Sequence, residues 1–169
     1  MMRMGGDNGG PESKRVVVES IKQRFTNDEW AAIRNGPMLA GMGAAALDSS
    51  LAGFARQVAA MTTTLEAAVG RYDHDALVTT LLHEVGTAEE SRDREDLSLD
   101  MTVDRLEQAV AAVHEKAPEH ELCYRTLLGE VAQIAARASG AAILEGSADL
   151  TEPQARFLVR FTAVLGFDD

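Results

Sequence analysis

From Val17 to Leu165 the apolar side chains of this chain return every three or four residues, the period of one face of an α-helix. Val17, Val18, Ile21 and Phe25 begin the pattern. Leu51, Phe54, Val58, Met61, Leu65 and Val69 continue it, as do Leu77, Val78, Leu81, Leu82 and Val85, and then Val103, Leu106, Val110 and Val113. β-Branched residues cluster at Val16-Val17-Val18 and Thr62-Thr63-Thr64 without an alternating strand pattern to compete with the helical period. The pattern predicts an all-α, single-domain bundle of seven or eight amphipathic helices. A length of 169 residues, with 46% hydrophobic and 25% charged side chains, fits one core of ordinary size. Residues 1–12, rich in glycine and polar groups, are expected to be a flexible tail, which leaves 13–169 as the domain.

Punctuation signals divide the pattern into elements. Thr26 and Glu29 stand at the spacing of a capping box, in which the hydroxyl accepts from the amide of Glu29 and the carboxylate accepts from the amide of Thr26. Trp30 and Ile33 then face the core. Gly36-Pro37 is read as a break, so that residues 38–47 (MLAGMGAAAL) form a separate buried helix whose small residues let a neighbouring backbone approach closely. Asp48-Ser49-Ser50 caps a helix over 51–69 that Gly70 ends, and Asp73 to Val85 forms the next, closed by Gly86. Residues 87–100 are a charged connector. Pro118 separates the helix of Val103–Val113 from one carrying Leu122, Leu127, Val131 and Ile134. After a loop at 139–148, Thr151 and Gln154 make a second capping box before Phe157, Leu158, Phe161 and Val164.

Charge narrows the function classes. Against 16 Lys and Arg stand 27 Asp and Glu, a net charge of −11. No basic run reverses that sign locally, so nucleic acid and anionic membrane surfaces are excluded as partners. The longest apolar run, 38–47, is about half the ~20 residues of a membrane-spanning helix, and no apolar segment follows the first arginine as in a secretory signal. A single cysteine, Cys123, cannot form an intrachain disulfide, and a cytoplasmic setting is expected. On an alanine- and leucine-rich helix, Cys123 is read as a small core hydrophobe.

The residues that could carry chemistry are few. Gly41-Met42-Gly43 lacks both the GxxxxGK[ST] pattern and a preceding strand, so it is no phosphate loop. None of the four histidines has the Glu-x-x-His or His-Glu-x-x-His spacing of helical metal sites. His74 and His83 fall on opposite helix faces; His114 and His120 flank the Pro118 turn, where they could meet Glu115, Glu119 or Glu121. Glu84 is expected at a helix edge beside a basic partner. As an enzyme, the chain would need a spatially assembled acid-base site, with His83 and Glu84 as its residues.

The sharpest local signal is Asp96-Leu97-Ser98-Leu99-Asp100-Met101-Thr102-Val103-Asp104-Arg105-Leu106-Glu107, which resembles a twelve-residue EF-hand calcium loop. Asp96, Ser98, Asp100, Asp104 and Glu107 supply oxygen side chains at positions one, three, five, nine and twelve, and Thr102 supplies position seven. Met101 stands where the turn calls for glycine. The competing reading makes these residues a helix start, with Asp100 or Thr102 as cap and Asp104 and Glu107 favouring the positive N-terminal end.

Residues 124–167 resemble the helix-loop-helix of the TerB-like tellurite-resistance proteins, through Ile134-Ala135, Ala138, Thr151, Leu158, Phe161, Leu165 and Gly166. The resemblance implies a helical fold. Ser139 and Gln154 occupy the places of that family's metal-binding acids, so it implies no metal site. The resulting expectation is a non-catalytic helical protein that acts through a protein partner or by self-association, as a homo-oligomer in the form of a dimer, through helix 38–47 or the apolar C-terminal helix. A calcium-responsive module is the alternative.

Overall fold

In a computed structural model, the described residues are 20–45, 51–85, 98–138 and 152–166. The tail at 1–12, the loop at 139–148, Gly86, Asp48-Ser49-Ser50 and Thr151 lie outside them. Residues 20–22 are helical and turn at Arg24 and Phe25 into α1, Asn27–Ala45. Then come α2, Leu51–Arg71; α3, Ala76–Val85; α4, Leu99–Lys116; a 3-10 turn, Pro118–His120; α5, Glu121–Ala138; and α6, Glu152–Leu165. Among the described residues there is no strand, and the architecture is an all-α bundle.

The starts of the helices follow local chemistry. Thr26 N donates to Glu29 Oε2 at 2.8 Å and Glu29 N donates to Thr26 Oγ1 at 3.2 Å, the expected capping box of α1. Asp75 caps α3, accepting from Val78 N at 2.9 Å, so the helix expected from Asp73 begins at Ala76. α2 passes through Gly70 and ends at Arg71. Gly166, at φ +77°, adopts the left-handed conformation that ends α6, which a side chain would strain.

The largest departure from expectation is α1. It runs unbroken through Gly36-Pro37, where two helices were expected. Proline has no N–H to offer the carbonyl four residues back, which here belongs to Ile33. That carbonyl accepts instead from the hydroxyl of Tyr124 at 2.9 Å, and Tyr124 is fully buried. Gly36 lets the phenol come this close, since a Cβ there would lie 2.1 Å from the Tyr124 oxygen.

α1 is the central helix. It packs mainly on α5 and α4, and also on α2 and α3; α6 lies against α4 and α5, where Arg125 near the start of α5 reaches the Val164 carbonyl. The small residues of α1 are what allow this. A Cβ on Gly41 would come within 2.6 Å of Met61 of α2, and one on Gly43 within 2.5 Å of the Phe157 ring of α6. Gly41 and Gly43 of the stripe expected to pair subunits are therefore covered by the chain's own side chains. Ile33, Met61, Leu77, Leu81, Leu106, Tyr124, Leu127, Leu128, Phe157 and Phe161 form the fully buried centre. Leu122, expected in the stripe of α5, is 78% exposed instead. The buried row of that helix is Tyr124, Leu127, Leu128, Val131 and Ala135.

Candidate functional site

Of the six candidate calcium ligands, Asp96 lies outside the described residues. Ser98 is the N-cap of α4, accepting from Met101 N at 3.2 Å, a place expected for Asp100 or Thr102. Thr102 is buried and donates its hydroxyl proton to the Ser98 carbonyl at 3.0 Å. Asp100, Asp104 and Glu107 stand on successive turns of α4 and form a row facing α6. There Arg160 donates to Glu107 at 3.1 and 2.9 Å and also to Asp104, while Arg156 Nε lies 3.6 Å from Asp100. Glu107 first, and then Asp104, push the Arg160 pKa up. From its fourth position onward, the expected loop is a helix whose carboxylates line up along one face and are met by arginine.

A second cluster gathers where the turn between α2 and α3 meets the 3-10 turn and α5. Asp75 is buried and uses both oxygens, Oδ1 for the Val78 amide and Oδ2 for Nδ1 of His120 at 2.9 Å. An ionised carboxylate only accepts, so Nδ1–H of His120 is the donor. Glu119 approaches His120 Nε2 at 3.7 Å and pairs with Arg24, which holds its carboxyl below the usual range. Cys123, expected in the core, is only half-buried here, its Sγ 3.9 Å from Nε2 of the exposed His74. Burial, and then the Asp75 carboxylate, push the Cys123 thiol up. A nucleophilic cysteine needs the opposite shift. Among the described residues, no group of three His, Cys, Asp or Glu side chains is placed to hold a metal ion.

His83 is exposed, while Glu84 sits at the edge of α3 with the basic partner expected for it. Its carboxylate accepts from the Trp30 indole at 2.8 Å and pairs with Lys22. Burial alone would raise its pKa, but the Lys22 and Trp30 hydrogen bonds together hold it below the usual carboxylate range.

His114 meets Glu121 across the Pro118 turn at 2.7 Å, and Glu121 also accepts from Arg125 at 2.8 Å. His114 and then Arg125 keep Glu121 below its ordinary value against the opposing effect of burial. Arg125 donates in turn to the Val164 carbonyl at 2.6 Å, at the negative C-terminal end of α6. These side chains, with Glu107 and Arg160, rim a shallow groove of about 400 Å³ between α4, α5 and α6 whose floor includes Val110, Ala111 and Val164. Sequence reasoning placed His114 and Glu121 near one another. Arg125 stands four residues after Glu121 on the same helix, a spacing open to local reading, but its bond to the Val164 carbonyl and the pairing of Arg160 with α4 join different helices and carried no local signal.

Fold and side-chain pairs define the class as an all-α helical bundle. Among the described residues, no helix is long and apolar enough to cross a membrane. Comparison with protein-family models, with curated proteins and with solved structures finds no match.

Proposed function

We propose that this chain is a non-catalytic, cytoplasmic helical protein that works by protein–protein interaction, and first of all by pairing with a second copy of itself through the outer face of α6. The observation that carries this reading is a row of small apolar side chains on that face, beside the exposed Glu152 and Arg156. Ala155, Val159 and Ala163 follow one another in steps of four, all exposed, with Val159 at 70%. Burying a valine of this kind stabilises an interface by about 1.5–3 kcal/mol. Of the two segments expected to self-associate, 38–47 has its Gly41 and Gly43 covered within the bundle, which favours α6.

Several polar groups suited to acid-base work support the same reading, because among the described residues they are tied to structural partners. Asp75 caps α3 and holds His120, Glu84 holds Trp30 and Lys22, and Glu121 braces His114 and Arg125. The TerB-like reading of residues 124–167 rests on the pattern of α5 and α6 and brings no metal chemistry with it.

Sedimentation equilibrium across a concentration series tests the proposal. The wild-type chain is expected to approach twice its 18.1 kDa mass, and Val159→Glu to remain at that mass with an unchanged circular dichroism spectrum. A wild-type chain that stays monomeric throughout, or a Val159→Glu variant that still dimerises, would overturn pairing through α6.

A further inference from the structure

We draw no further inference here: the strongest candidate, the shallow groove between α4, α5 and α6 rimmed by Glu107, His114, Glu121, Arg125 and Arg160, has charged side chains already paired within the chain, and nothing in the structure shows what covers it.

Discussion

The hydroxyl of Tyr124 donates to the carbonyl of Ile33, the acceptor that Pro37 cannot serve, and this bond spans 91 residues of sequence. A proline inside a helix ordinarily costs about 3 kcal/mol, partly through the carbonyl it leaves unpaired. Here a side chain from α5 supplies the missing donor in the middle of the core, and burial keeps its phenol protonated by raising its pKa. Removing the hydroxyl in Tyr124→Phe strands a buried carbonyl, which costs about 1–3 kcal/mol. In urea denaturation the loss should shrink when Pro37→Ala is introduced alongside it, because alanine restores the backbone donor. Additive losses in that double-mutant cycle would contradict the coupling.

What could be read from sequence depended on the distance between partners. The Thr26–Glu29 capping box was legible because donor and acceptor are three residues apart. Pro37 was misread because the rule that proline ends a helix is local, whereas its compensation comes from Tyr124. The calcium-like spacing had a different cause. Asp100, Asp104 and Glu107 follow in steps of four and three, which also places them on one helix face, so the loop pattern and the helical row are the same pattern until Arg160 is seen. The pairing of Asp75 with His120 left no trace that a local reading could detect.

Gly43 owes its identity to the Phe157 ring, which stacks on Phe161 with centroids 5.3 Å apart. Gly43→Ala should therefore destabilise the fold by about 1–3 kcal/mol through overpacking, although alanine is the better helix former. Replacing Phe157 by leucine in the same chain should recover part of that loss in thermal denaturation. If Gly43→Ala instead raised the melting temperature, the close contact between α1 and α6 would be wrong.

Trp30, the one tryptophan in the chain, reports directly on Glu84. Since the folded-state pKa of Glu84 is depressed, its contribution to stability is fully present above its ordinary value of 4.5 and is lost as pH falls through the lower folded value. The tryptophan emission should accordingly shift in acid below pH 4.5, while the far-ultraviolet spectrum is still helical. Glu84→Gln should be less stable than wild type at neutral pH, and the gap should close on acidification. A gap that stays constant between pH 7 and pH 3 would show that the charge of Glu84 contributes nothing.

Calcium titration of chelator-stripped protein separates the two readings of residues 96–107. With Asp100, Asp104 and Glu107 on a helix face and Arg160 against the last two, no saturable binding near one ion per chain is expected. The row should show itself in salt dependence instead. Arg160→Gln should lower the thermal midpoint at low ionic strength, with a smaller effect in molar salt, since these groups are partly exposed and screened. Saturable calcium binding that disappears in Asp96→Ala and Glu107→Gln would restore the loop reading.

The state of Cys123 decides between an interaction protein and a thiol enzyme. Burial and the nearby Asp75 carboxylate hold its pKa above the ordinary value of 9.0, so the less reactive thiol predominates at neutral pH despite His74 being 3.9 Å away. The rate of alkylation by iodoacetamide should rise with pH along a curve whose midpoint lies above 9.0. At pH 7 the reaction should be slower than that of a free cysteine peptide, and His74→Ala should leave the curve in place. A midpoint below 7 that moves upward in His74→Ala would instead mark a thiolate–imidazolium pair and place a nucleophile on α5.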